Sequence, residues 1–253
     1  MNTVRDRVSY QVPVAASLRR LLPRHLVVGP VLLAVMLASA ATAWGRDANY
    51  VPATQVSLET ILAPPPVIGS ASEQKDLQAV LDVQKRRSAA ESKEAEGDAE
   101  LSVFRFADVL GERFNADNAA FTAQFLRRTL SDAGESISSA KAHFKRDRPF
   151  LRSAEVQPII RKPGGGSYPS GHATFAFLNG ILLAAMVPEK AAQIHERAER
   201  YAYNRVTAGV HFPTDIEAGR ISAAVIANGL LHEPKFLADL EAAKAEVRKA
   251  LEL

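Results

Sequence analysis

The chain has no cysteine among its 253 residues. That excludes disulfide staples, thiolate nucleophiles and cysteine-bound zinc together, so stability must come from packing and covalent chemistry from another side chain. Long apolar runs are scarce too. Only the N-terminal segment approaches the roughly 20 apolar residues that cross a bilayer, and Gly29 and Pro30 interrupt it. A large excess of one charge is also missing. Residues 1–43 hold Arg5, Arg7, Arg19, Arg20 and Arg24 against Asp6; without them the chain's 31 basic and 28 acidic residues become 26 and 27. So balanced a remainder argues against a nucleic-acid-binding surface, and any basic site must be local.

What is present is apolar and helical. Hydrophobic residues make up 47% of the chain, enough for a substantial core. Residues 1–43 read as an export signal, with an arginine-bearing start, an apolar stretch centred on Val31 to Ala38, and Ala41-Thr42-Ala43 as a small-residue exit before Trp44. This predicts a periplasmic or secreted protein with no stable membrane insertion after cleavage. Residues 44–69 carry Pro52, Pro64-Pro65-Pro66 and Gly69 and read as a proline-rich arm, either a tether or packed along the domain. Residues 70–253 are predicted to form one all-α domain, a helical bundle around a buried central helix.

Ser70 and Glu73 have capping-box spacing, which predicts a helix from Ala71 through the charged stretch Ser88 to Glu96, ended by Gly97-Asp98. The charges between Lys85 and Glu100 read as a solvated face. A second helical pattern, with Leu101, Phe104 and Leu110, stops near Gly111; a third, with Phe121 and Phe125, stops before Gly134. Ile137, Ala140 and Phe144 form a further stripe, beside which Lys141 leans inward. From Ala173 to Val187 nearly every residue is apolar or small, the pattern of a central buried helix. Another helix spans Ala191 to Val206, with Glu196, Arg197, Glu199 and Arg200 outward and Arg205 near its end. A last core helix runs through Ile221, Val225 and Leu230, and Lys235 to Leu253 form an amphipathic tail, a packing element or the contact of a homodimer.

Three clusters carry chemistry: Lys141 with Arg148-Pro149, then Pro169-Ser170-Gly171-His172, then Arg205 with His211 and Asp215. Ser170, Gly171 and His172 open the central helix, where unpaired N–H groups and the positive dipole end favour an anion; the plain alternative is a capping serine and a core histidine. His211 and Asp215 are four residues apart at a helix start. There the carboxylate can accept the Nδ1 proton and leave Nε2 as a nucleophile. Metal ligation is the other use of such a pair, although no further carboxylate or histidine has zincin spacing.

Lys-x6-Arg-Pro, Pro-Ser-Gly-His and Arg-x5-His-x3-Asp stand here in the order found in the type 2 phosphatidic acid phosphatase superfamily. The chain resembles the soluble class A non-specific acid phosphatases of that group, which share their fold with vanadium-dependent haloperoxidases. The likeness covers Leu101 to Leu231 and includes the signature Gly166-Ser167-Tyr168-Pro169-Ser170-Gly171-His172. Asn204 stands where serine usually precedes the arginine, and Ala173 where threonine is frequent. The resemblance implies that His211 attacks phosphorus, Asp215 orients it, and His172 protonates the leaving alcohol and later activates water. It further implies that Lys141, Arg148, Ser170, Gly171 and Arg205 bind the phosphoryl oxygens with no metal or other cofactor, and that soluble phosphate monoesters are the substrates. Tyr168 either stacks on an aromatic leaving group or packs at the loop edge. The alternatives are a haloperoxidase with vanadate on His211, a lipid phosphate phosphatase, and an inactive phosphate-binding protein.

Overall fold

Ser70 and Ser88 each begin a helix. In the computed structural model, which describes Tyr50 and residues 56–253, Ser70 Oγ accepts from Glu73 N and Glu73 Oε2 accepts from Gly69 N. This starts α2, Ala71–Arg86; a short α1, Leu58–Ile61, precedes it. The single helix expected from Ala71 to Gly97 is broken at Arg87. Ser88 there forms a full capping box with Glu91, and α3, Ala89–Gly97, begins anew. The expected export signal at 1–43 lies outside the described residues.

The second pattern yields less helix than expected: a 3₁₀ turn at Val103–Phe106 and one turn of α4, Ala107–Leu110, ended by Gly111 at φ 112°. The third and fourth patterns are one helix. α5, Ala120–Phe144, runs straight through Gly134, because Phe125, Leu126, Thr129, Ala133, Ile137 and Ala140 form one continuous buried stripe. A mid-helix glycine costs about 1 kcal/mol, less than that stripe returns. Phe121 falls off it and is 39% exposed.

Arg148 precedes Pro149, the first residue of α6, Pro149–Arg152. After a glycine-rich loop comes α7, Gly171–Met186, apolar on nearly all sides and packed against α5, α8 (Ala191–Thr207), α9 (Pro213–Leu230) and α10 (Pro234–Ala250). It is the central helix of an all-α bundle; among the described residues there is no β-strand. The apolar face of α10, with Phe236, Leu240, Ala243 and Val247, is spent inside this core. Among the described residues no helix is long and apolar enough to cross a membrane. The described part of the arm packs along the domain: Tyr50, Leu58 and Leu62 are buried, and Tyr168 donates to Ala63 O.

Two inward residues correct the expected helix faces. Arg197, expected outward, is wholly buried, on a stripe with Ile194, Tyr201 and Arg205. On α9, buried Asp215 sets the phase, so Gly219, Ser222, Ile226 and Leu230 point inward and Ile221 is left 41% exposed.

α9 approaches the start of α7 so closely that a Cβ on Gly219 would lie 2.7 Å from Ala173 Cβ and 2.9 Å from Ser170 O. Gly219→Ala must therefore push back the turn that carries Ser170 to His172. We expect a loss of about 1–3 kcal/mol, and with it several degrees of Tm. The resemblance puts Ser170, Gly171 and His172 in a phosphate site, and on that expectation kcat/KM for a phosphate monoester should fall at least about tenfold. A melting curve run beside a p-nitrophenyl phosphate assay checks both.

Candidate active site

Gly209, at φ 74°, turns the chain out of α8 and delivers His211 to the start of α9. His211 Nδ1 is 3.1 Å from Asp215 Oδ2, and Nε2 is 3.1 Å from Arg148 Nη1. A guanidinium can only donate, so Nε2 is the acceptor and the ring proton sits on Nδ1. The lone pair thus points at Arg148. Burial pushes the His211 imidazole well below the ordinary histidine range; the bond and charge of Asp215 act upward, while Arg148 and Lys141 add to the fall. His211 is a neutral base even in acid.

Asp215 is buried and fully engaged. Oδ1 accepts from Arg146 at 2.6 Å, and Oδ2 accepts from Ser167 Oγ at 2.7 Å, Phe212 N at 2.9 Å and His211. Burial alone would raise this carboxyl, but the hydrogen bond and charge of His211, with Arg146 and the Phe212 amide, hold it below the usual carboxylate range.

The cations arrive from three directions. Lys141, in the last turn of α5, donates to Gly166 O at 2.7 Å and Ser167 O at 3.3 Å; burial and then the charge of Arg148 lower it to about 8. Arg148 uses its remaining N–H groups on the carbonyls of Gly164, Gly165, Gly166 and Val210. Arg205, only 2% exposed, has Nε and Nη1 buried with no hydrogen-bond partner. Burial and the charge of Arg148 bring it down to about 10, so it stays a cation.

The fourth side is the start of α7. Ser170 Oγ accepts from Ala173 N, Ser170 N donates to Asp215 O at 3.0 Å, and Gly171 and His172 are the first helical residues. Their N–H groups lack a carbonyl one turn back. His172 Nε2 is 3.1 Å from Ala99 O. Burial, then the charges of Arg205, Arg148 and Lys141, lower this imidazole to about 4 against the pull of the Ala99 bond.

Seven of the eight residues expected at the site are linked by direct bonds or by mutual charge, and Gly171 stands between two of them in the chain. Tyr168 is spent on packing: its hydroxyl reaches Ala63 O at 2.6 Å and its ring meets Phe144 edge-on. Sequence reasoning missed Arg146, which ties Asp215 to Asp76 and Thr214 and lies 4.1 Å over the Phe212 ring. It also missed the function of Ser167. Nothing in the run Lys145 to Arg148 marks Arg146 as buried together with Arg148, whereas Ser167 lies inside the signature. Among the described residues no group of three or more His, Asp and Glu is placed to hold a metal ion.

A cluster of three cations, one imidazole lone pair and a second imidazole, whose one carboxylate is taken up by Arg146, Ser167, Phe212 N and His211, is suited to a tetrahedral oxyanion. Comparison with known proteins points the same way. The PAP2 superfamily pattern matches residues 122–236. An acid phosphatase of Zymomonas mobilis is 31% identical over 199 residues, 75% of either chain. A non-specific acid phosphatase of Salmonella typhi is 29% identical over 239 residues, 90% of this chain and 92% of its own. A bacterial vanadium-dependent iodoperoxidase shares the fold at TM-score 0.52 and 19% identity, over 68% of this chain and 52% of its own. The chain belongs to the PAP2 superfamily, among its non-specific acid phosphatases.

Proposed function

We propose that this phosphatase hydrolyses soluble phosphate monoesters of broad type through a phosphohistidine, without a metal. The observation that carries the reading is Arg205, a buried guanidinium with two unpartnered nitrogens, close enough to Arg148 to feel its charge, while Arg148 itself faces the lone pair of the buried His211. Burying an unpaired charge is costly, and an anion placed there removes the cost.

The phosphoryl oxygens take the Arg205 and Lys141 donors and the Gly171 and His172 amides, with Ser170 capping the same turn. As phosphorus enters, the N–H of Arg148 moves from Nε2 to an oxygen, which frees the lone pair. The Nε2–P bond forms as the P–O bond to the leaving group breaks, and Asp215 holds the resulting cationic ring through Nδ1–H. His172 gives its proton to the leaving oxygen. In the second step it takes one from water, the water oxygen bonds phosphorus, and the N–P bond breaks to release phosphate. The named groups act on the phosphoryl end, so nucleotides, sugar phosphates and aryl phosphates are all suitable substrates. The export signal read at residues 1–43 supports a periplasmic or secreted enzyme.

The pH dependence follows from these groups. His211 keeps its lone pair far into acid, so the acidic limb comes late. His172 at about 4 is neutral in the free enzyme near pH 7, so the proton for the leaving group must arrive with the substrate monoanion or be taken up by His172 from solvent as the dianion binds. We expect kcat/KM to peak in acid and fall as pH rises through about 6, the second ionisation of a phosphate monoester. Above about 8 the loss of the Lys141 charge should steepen the fall. A pH profile with p-nitrophenyl phosphate and β-glycerophosphate checks it.

Quenching a reaction with labelled substrate, EDTA present throughout, should trap an acid-labile, base-stable phosphoenzyme at an undiminished rate. Loss of activity on chelation would overturn the metal-free reading, and an acid-stable adduct would overturn the histidine.

A further inference from the structure

Asp98 was expected on a solvated face, yet it is wholly buried. Oδ1 accepts from Arg197 Nη2 at 2.7 Å and Arg105 Nε at 2.9 Å; Oδ2 accepts from Arg197 Nη1 at 3.0 Å and Asn204 Nδ2 at 2.8 Å. The carboxylate is thus clamped from α8 by a two-pronged Arg197 and by Asn204. Gly97 leaves room for Arg105, since a Cβ there would lie 2.6 Å from Arg105 Nη2. Two residues on, Glu100 O accepts from Tyr201 OH, again from α8. The residues on either side of Ala99 are therefore pinned to the helix that carries Arg205, and Ala99 N is held by Glu96 O at 3.2 Å. What remains for Ala99 is its carbonyl, 3.1 Å from His172 Nε2.

A carbonyl only accepts, so it fixes the Nε2 proton and leaves Nδ1 as the exchanging atom. We infer that Asp98 is a positioning residue for the leaving-group proton: held by Arg197, Arg105 and Asn204, it sets the Ala99 carbonyl that orients His172, so that His172 donates from Nδ1. In the first step the Nδ1–H proton passes to the leaving oxygen; in the second, a proton of water returns to Nδ1. Nε2–H stays on Ala99 O throughout. Asn204 gains a reason here, because its amide reaches the buried carboxylate.

The inference rests on His172 as the general acid, and the test separates the two claims. The kcat/KM values for β-glycerophosphate, a poor leaving group, and 2,4-dinitrophenyl phosphate, a good one, are compared in wild type, His172→Ala, Asp98→Asn and the double variant Asp98→Asn/Arg197→Met. The double variant removes both buried charges together, which guards against a folding failure. Loss of an oriented acid should cost the alkyl ester on the order of 10²-fold and the dinitrophenyl ester less than about threefold, in His172→Ala and in both Asp98 variants. Equal losses on both esters in the Asp98 variants would make the cluster merely structural and overturn the inference. So would intact kinetics in the double variant beside a divergent His172→Ala. If His172→Ala itself shows no divergence, the acid assignment fails, and the inference with it. Two-bond 1H–15N spectra give a second readout: the neutral His172 ring should carry its proton on Nε2 alone in wild type and on either nitrogen in Asp98→Asn. A pure Nδ1–H ring in wild type would overturn the proposal.

Discussion

His211→Ala should remain folded and lose at least about 10⁴-fold in turnover of p-nitrophenyl phosphate. The fold survives because Asp215 keeps its other donors, Arg146, Ser167 Oγ and the Phe212 amide, so no charge is stranded when the imidazole goes. Turnover is lost because no other side chain at the site offers a lone pair at that position: the cations only donate, and His172 is held to Ala99 on another side. Phosphate binding is expected to persist, since Arg205 and Lys141 are untouched. The measurement is a steady-state assay beside a thermal melt with and without inorganic phosphate. A variant that still turns over at the wild-type rate would remove His211 as the nucleophile.

The parts of this molecule that were legible from sequence share one property: their signal is local. The Ser70 and Ser170 caps, the all-apolar α7 and the three clusters around Lys141, Ser170 and His211 each lie within a few residues, where spacing alone fixes the geometry. The His211–Asp215 bond, four residues long, is the clearest case. What could not be read depends on pairing across the chain. Asp98 looks solvated because its partner Arg197 is 99 positions away. Arg146 reaches Asp76 and Asp215 over 70 and 69 positions. Some signal was present and misread. Ile194, Arg197, Tyr201 and Arg205 already had the 3–4 spacing of a buried face, but Arg197 reads as outward beside Glu196, Glu199 and Arg200. Similarly, Gly134 was given the weight of a helix end although the apolar stripe continued through it. Stripe continuity outranks a single glycine, because a buried stripe gains several kcal/mol and the glycine costs about one.

The same buried charge that carries the functional reading should also limit stability, and Arg205→Met separates the two effects. Methionine keeps most of the length and none of the charge, and Arg205 Nε and Nη1 surrender no hydrogen bond on removal. Asp98 supports the Arg205 charge only at a distance, being bonded to Arg197, Arg105 and Asn204, so replacing this buried cation by an apolar side chain should stabilise the fold by about 1–3 kcal/mol, a rise of several degrees in Tm. The neighbouring Arg148, itself held down by burial, also loses a like charge nearby. Catalysis moves the other way. In the proposed mechanism Arg205 meets the charge that gathers on the phosphoryl oxygens, so kcat/KM should drop about 10³-fold. Inorganic phosphate supplies the discriminating control: it should raise the Tm of wild type, where it satisfies Arg205, and barely that of the variant. A variant that melts lower than wild type, or that phosphate stabilises equally, would show that Arg205 is a structural cation and that the oxyanion sits elsewhere. A variant that is more stable and nearly inactive would show stability given up at this residue to make an oxyanion site.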